Sequence, residues 1–299
     1  MSSRRILITG ATGETGRYTT DLLLKEGFAV RAFVHKADER SDKLKARGAE
    51  IVVGDLLELG EVRSALKDVD AAYFVYPIQP GLIDATAYFA QAAKDAGLDG
   101  VVNMSQISAR YDSKSHAARD HWIAERVFDW SGVPVTHIRP TFFAQWLTYP
   151  HSRKHIVERG VISEPLGTGR HAPIAAEDQA RLIAAILADP APHKGQIYPL
   201  FGPVEMDQAG IAKAVGEVLG RPVDYEPIKI EVYRQRLEDA GVMPPFLIQH
   251  LCAVAQDYQD GIFAGTDEVI GRVTGKPPMT VQEFVTAHID LFRPADAGR

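Results

Sequence analysis

Three glycines spaced three apart close an apolar run near the start of the chain, Ile6-Leu7-Ile8-Thr9-Gly10-Ala11-Thr12-Gly13-Glu14-Thr15-Gly16-Arg17. The segment after them is helix-periodic and carries Leu22, Leu23 and Leu24. Strand, glycine turn and helix start thus follow in the order that a dinucleotide pyrophosphate requires. Gly10 permits a sharp turn, Gly13 a close approach of backbone to phosphate, and Gly16 a close approach of helix to strand. Amide groups and the positive end of the helix dipole would then face the anion. The expected cradle comprises Thr9, Gly10, Thr12, Gly13, Glu14, Thr15 and Gly16.

The end of the second strand discriminates between nicotinamide dinucleotides. An acid there holds the ribose 2′-hydroxyl of NAD, whereas a base accommodates a 2′-phosphate. The residues are Val34-His35-Lys36, and the acids Asp38 and Glu39 come only later, at a helix start. His35 and Lys36 therefore favour NADP(H), with NAD(H) also usable; a solvated basic pair without selectivity is the alternative. Asp55, with Leu56, is placed to meet an adenine amino group and ring, or else to cap the following helix. Val75, Tyr76 and Pro77 end the fourth strand, where backbone would pass a cofactor ribose; Tyr76 is equally suited to packing.

These residues need a sheet to hold them. Strand patterns over 4–9, 28–34, 50–53, 71–76, 100–104 and 134–139 alternate with helix patterns over 15–26, 38–47, 59–67, 82–97 and 115–131. Strands joined by helical crossovers imply a parallel, doubly wound α/β sheet of the Rossmann type. Gly27, Gly48 and Gly97 each follow a helix, as left-handed caps do. After Pro140 helices dominate: 142–158, 175–188, 206–219, 230–240, 244–262, 266–273 and 280–292, with strands near 196–200 and 222–227 and a loop over 160–169. The expected organisation is a nucleotide-binding domain, 1–150, and a smaller, mainly helical substrate lobe, 151–299, with the strand at 196–200 returning to the main sheet. Ligands of open α/β sheets bind outside the carboxyl ends of the strands, so substrate is expected between those ends and the lobe. The terminal stretch 294–299 is expected to fray.

Composition narrows the function classes. The chain has 299 residues, 45% hydrophobic and 24% charged, with a net charge of −6. That charge supplies no global basic field for nucleic acid. Arg153, Lys154, His155 and Arg159 form a local basic patch without interleaved aromatics. Cys252 is the single cysteine, which excludes an internal disulfide and a cysteine zinc site. His151 and His155 have i, i+4 spacing but lack the glutamate of HExxH, and no GxSxG occurs, so neither a metal site nor a nucleophile turn is read. No apolar run reaches a membrane span, and the apolar run behind the first arginines is too short for a signal peptide. A cytoplasmic location is expected.

The chain resembles the NmrA-like branch of the atypical short-chain dehydrogenases. Thr9–Arg17, Val34-His35-Lys36 and Gly54-Asp55-Leu56 carry the likeness, as do His121-Trp122-Ile123-Ala124-Glu125 and Ser131-Gly132-Val133-Pro134-Val135-Thr136-His137-Ile138-Arg139-Pro140. Gly160-Val161-Ile162, Gly167-Thr168-Gly169 and Ala175-Ala176-Glu177-Asp178 follow in the same succession, and 241–263 is similar to the small bacterial quinone and triphenylmethane-dye reductases. The resemblance implies a Rossmann-type fold that binds NADP(H). It also implies one of three activities: an NAD(P)H-dependent reductase of quinone-like or conjugated aromatic molecules, a non-catalytic NADP(H)-binding redox sensor, or a biosynthetic isomerase or ether reductase using bound NADPH. The Tyr-x-x-x-Lys dyad of ordinary short-chain dehydrogenases is missing, since Tyr111 is followed at +4 by Ser115. In its place the resemblance points to His121, eleven residues before Gly132, where plant ether reductases carry lysine and the quinone and dye reductases carry histidine. His121 would position the nicotinamide ribose or supply a proton, with a packed helix-face histidine as the alternative. Ser105, at the end of the fifth strand, would bond nicotinamide or substrate, or start a turn. Glu125, one helical turn from His121, would orient that imidazole or pair with an arginine. Phe142, Phe143 and Trp146, with Phe246 from later in the chain, would line an apolar pocket or pack as core. The implied partners are a small aromatic molecule and, in a homodimer, a second copy of the chain; nucleic acid and membrane are not implied.

Overall fold

A computed structural model describes residues 4–293; the stretch 294–299, expected to fray, lies outside them. The first half runs β1 (Arg5–Thr9), α1 (Glu14–Lys25), β2 (Ala29–Val34), α2 (Glu39–Ala46), β3 (Glu50–Val53), α3 (Leu59–Ala65), β4 (Ala71–Phe74), α4 (Leu82–Ala96), β5 (Gly100–Met104), α5 (His116–Ser131) and β6 (Val135–Pro140). The second half runs α6 (Pro150–Arg159), β7 (Val161–Glu164), β8 (Arg170–His171), α7 (Ala176–Ala188), β9 (Ile197–Leu200), β10 (Met206–Asp207), α8 (Gln208–Leu219), β11 (Asp224–Pro227), α9 (Ile230–Ala240), α10 (Pro245–Gln259), α11 (Val269–Thr274) and α12 (Val281–Ala287).

Seven strands form one sheet in the order β3-β2-β1-β4-β5-β6-β9. The registers from β3 through β6 are parallel, with Ile6 opposite both Val30 and Ala71, and Asn103 opposite His137. β9 returns to this sheet as expected, bonding at the β6 edge through His137 N to Gln196 O and Thr141 N to Leu200 O. Helices cover both faces of a parallel sheet, so its central strands are apolar throughout: Ile6, Leu7 and Ile8 of β1 and all of β4 are buried. Between β4, β5 and helices α3–α5 the core closes on Phe74, Phe89 and Phe128, with ring centroids 4.8 and 5.4 Å from that of Phe74.

The chain divides into two compact units that are not consecutive halves. One comprises 1–139 and 176–199; the other comprises 140–175 and 200–299. The first therefore holds α7, which the sequence division at residue 150 puts in the lobe. In the second, Leu147, Ile156, Ile162, Ile211, Val215 and Phe284 form a core of their own.

Two expectations after Pro140 are corrected. The helix expected over 142–158 is a short 3-10 turn, Ala144–Thr148, followed by α6. Pro150 cannot donate the hydrogen bond that a continuous helix would need and instead starts the second helix. The stretch 160–169, expected as a loop, contains β7, which pairs in parallel with β11 from Val161↔Asp224 to Glu164↔Pro227. β8 and β10 form a further small antiparallel pair.

Candidate functional site

The cradle is built by close backbone approach. Gly10 has φ +54°, and a side chain there would meet Val75 Cγ1 at 2.6 Å. The Gly13 amide donates to Gly10 O at 2.9 Å and closes the turn. A Cβ on Gly16 would stand 2.3 Å from Gly10 O and 2.8 Å from Ala11 Cα. Gly16 thus lets α1 seat on the turn itself, a tighter contact than the helix-to-strand approach expected. Gly13 starts α1 in extended conformation, without a side-chain cap, so the first amides of the helix lack the serine or aspartate that usually accepts from them. Gly10 and Gly13 are exposed and Thr12 is partly exposed. The donor set fits a dinucleotide phosphate: amides, a helix dipole and no side chain filling the concavity.

Two threonines expected in the cradle act behind it. The Thr9 hydroxyl is fully buried, accepts from Val75 N at 2.8 Å and donates to Val75 O at 3.1 Å. It pins the end of β1 to the end of β4 and is not free for a ligand. Thr15 Oγ1 bonds the buried Tyr73 hydroxyl at 2.7 Å, fixing α1 to β4. Glu14 faces solvent and pairs with Arg17 at 2.6 Å.

At the outer strands, His35 and Lys36 are exposed beyond β2. His35 Nδ1 lies 3.8 Å from Asp55 Oδ2, so the two expected cofactor positions are neighbours. Asp38 caps α2 with a reciprocal Ser41 bond, and Arg40 with the capping amides holds its carboxyl at a pKa of about 2. Asp55 does not cap α3; Glu58 occupies the cap position, and Asp55 Oδ1 accepts from Leu57 N at 2.9 Å in a local turn. Leu56 packs partly against the sheet core. The Tyr76 side chain is buried in that core, and its hydroxyl donates to Pro80 O at 3.1 Å and accepts from Gln79 at 3.2 Å. Packing claims Tyr76, while Val75 is partly exposed and Pro77 exposed at the strand end.

The carboxyl end of β5 and the start of α5 assemble a second group. Ser115 caps α5, accepting from Ala118 N at 3.0 Å. The sheet fixes the helix through His137, which accepts from Asn103 Nδ2 at 2.9 Å and donates from Nε2 to Asp129 Oδ1 at 3.1 Å. Burial lowers the His137 pKa and keeps the ring neutral. Ser105 lies two residues beyond Asn103 and so on the same strand face, toward α5. His121 lies eight residues before Asp129, about 12 Å up the helix toward the same end of β5. Both are buried, at 3% and 4% exposure. Ser105 Oγ has no hydrogen-bond partner among the described residues. The fully buried Glu125 carboxylate is held by arginines: its oxygens accept from a partly buried Arg139 at 2.8 and 2.5 Å, and Oε2 also meets Arg126 at 3.4 Å.

Residues 2–285 match the model of the NmrA-like family. The chain belongs to the NmrA-like family. Over 294 residues it is 34% identical to an NAD(P)H azoreductase of Xenophilus azovorans, covering 96% of this chain and 99% of the relative. The structure of an NADPH-dependent quinone oxidoreductase of Escherichia coli complexed with NADPH superposes with a TM-score of 0.83 at 24% identity, covering 95% of this chain and 99% of that one. NmrA, a negative transcriptional regulator in complex with NADP, superposes with a TM-score of 0.80 at 18% identity, covering 95% and 94%.

This NmrA-like chain distributes its expected pocket residues over separate groups. Phe142 packs edge-on against His171 and Tyr258, and its ring centroid lies 4.7 Å from that of Phe263. Phe143 bridges to Ile174. Trp146 packs against the core beneath α8 and α12, and Phe246 is partly buried on α10. Gly54, read in the sequence only as part of the family likeness, is a close approach as well: a Cβ there would meet the Phe33 ring at 2.7 Å. Sequence reasoning did not single out Gln106, in a turn with neither periodicity nor a motif to mark it.

Proposed function

We propose that this protein is an NAD(P)H-dependent oxidoreductase, NADPH-preferring, that reduces a quinone-like, azo or otherwise conjugated aromatic molecule. The observation that carries the reading is the cradle: a turn with no room for a Cβ at Gly16, in a chain one-third identical along its length to an azoreductase. Gly10, Gly13 and the first amides of α1 bind the pyrophosphate, and Thr9 and Thr15 hold them in place. His35 and Lys36 meet a 2′-phosphate. A bound reduced nicotinamide supplies hydride. Ser105 and His121 position the reacting end, and His121 returns a proton to the reduced product. A conjugated acceptor needs no tyrosine acid because its reduced anion is stabilised by delocalisation, which suits a chain lacking the Tyr-x-x-x-Lys dyad.

The test is consumption of NADPH and NADH against a panel of quinones and azo dyes, with binding of each cofactor measured in parallel. Turnover with NADPH preferred supports the reading. Tight NADPH binding without turnover across the panel favours the second reading, a redox sensor, which the missing dyad and the likeness to a transcriptional regulator support.

A further inference from the structure

The turn after β5 holds polar atoms that the cradle does not use. Gln106 O accepts from Ala109 N at 3.0 Å, closing a tight turn directly behind Ser105. Inside it, Ser108 Oγ donates to Gln106 Oε1 at 2.9 Å, and Ser108 is fully buried. This bond occupies the carboxamide oxygen and leaves Nε2 as the remaining donor. That Nε2 is buried and has no partner among the described residues, and the same is true of the adjacent Ser105 Oγ. A buried donor without a partner costs about 1–3 kcal/mol, and here two adjacent residues carry such atoms at the strand end where open α/β sheets bind ligands.

We propose that Gln106 Nε2–H and Ser105 Oγ–H form a two-donor seat for the heteroatom of the electron acceptor, a carbonyl oxygen or an azo nitrogen, with Ser108 as the positioning residue. The inference rests on the reductase reading above. As the acceptor gains a hydride at carbon or nitrogen, one bond of its conjugated system breaks and an electron pair moves onto the heteroatom. Two neutral donors oppose that charge without a preformed ion pair, and the proton returned by His121 then completes the two-electron reduction. Donors fixed before reaction and aimed at developing charge lower the barrier more than they strengthen ground-state binding. The seat therefore selects neutral acceptors that become anionic and affects kcat more than KM.

The experiment compares the wild type with Gln106→Ala and the isosteric Gln106→Glu, which retains an acceptor for Ser108. Turnover is measured on the quinone and azo panel, NADPH affinity in parallel, and binding of 4-nitrophenolate to the NADPH complex by its absorbance. Gln106→Ala is expected to lose about 100-fold in kcat, the scale of one lost oxyanion donor. Its acceptor KM and NADPH affinity stay within twofold, and 4-nitrophenolate binding weakens at least tenfold. Gln106→Glu is expected to lose more at neutral pH and to regain activity as pH falls and its carboxyl becomes a donor, a profile that a merely structural role would not produce. Kcat and nitrophenolate binding within twofold of wild type in both variants would overturn the inference and leave the reductase reading standing. If the wild type turns over no acceptor, the reductase reading fails. Nitrophenolate binding then decides alone: dependence on Gln106 supports the seat, and independence overturns it.

Discussion

At the scale of single residues, the cradle depends on atoms that are absent. An alanine at 16 would place its Cβ 2.3 Å from Gly10 O, with backbone on the other side, so the turn or α1 must move. Overpacking of this kind costs about 1–3 kcal/mol, and the displaced turn is the part that meets phosphate. Gly16→Ala is expected to fold with a lowered melting temperature and to bind NADPH at least tenfold more weakly by calorimetry; unchanged affinity would remove the cradle from the binding site. His35 and Lys36 make a different kind of claim, because both are exposed and their removal costs no packing. The double substitution His35→Asp, Lys36→Ala is expected to lower the NADPH:NADH affinity ratio about tenfold or more, as one charge-assisted contact and one repulsion are exchanged. An unchanged ratio would place 2′-phosphate recognition elsewhere. His121→Ala is expected to reduce turnover while the protein remains folded, and unaltered cofactor affinity and kcat would withdraw its role.

At the scale of elements, α5 is the piece that brings His121 to the end of β5, and it is held by charge. Glu125 is fully buried and bidentate to Arg139 of β6, while Asp129 holds His137 of the same strand. Removing one partner of a buried pair strands the other charge and costs about 3–5 kcal/mol. Glu125→Ala is expected to lose that much in urea unfolding and to reduce turnover through the displaced helix, with Glu125→Gln losing less of both. The sequence carried the helix itself, since Ser115, the apolar period and Gly132 mark both ends within a residue of the observed His116–Ser131. It could not carry the partner of Glu125. Spacing i, i+4 puts His121 and Glu125 on one face, but Arg139 competes for the carboxylate from a strand whose packing no local pattern encodes. The cradle was legible because all its parts lie within eight residues. β7 was not, because Val161–Glu164 becomes a strand only by pairing with β11, some sixty residues later. Tyr76 illustrates a third case: its position near a strand end suggested a cofactor contact or packing, and burial of the ring in the cluster that holds Leu82 and Phe74 favours packing.

At the scale of the whole molecule, a half-buried carboxyl and a buried imidazole shape how stability depends on pH. Burial pushes the Glu164 carboxyl up from 4.5 to about 7, with Ser152 its hydrogen-bond donor at 3.3 Å. Burial pushes His171 down from 6.5 to about 3, its Nδ1 bonded to the Tyr258 hydroxyl at 2.6 Å. For Glu164 the native state favours the protonated acid, so its contribution is complete below pH 4.5 and is lost as pH rises through about 7. For His171 the native state favours the neutral ring, so its contribution is complete above pH 6.5 and is lost as pH falls toward about 3. Between pH 4.5 and 6.5 the two slopes are opposed, each at most about 1.4 kcal/mol per pH unit, and they offset one another. Single substitutions should separate them. Relative to wild type, Glu164→Gln is expected to gain stability steadily as pH rises across that window, and His171→Gln to lose it. Melting curves collected from pH 4 to 8 give the two difference profiles, in which every other titrating group cancels. Parallel wild-type and variant curves would mean that the group replaced titrates alike in the folded and unfolded chain, and hence that its burial does not govern its charge. Opposed slopes would show that this protein keeps a protonated carboxyl and a neutral imidazole inside one fold near neutral pH, stable only where both conditions hold together.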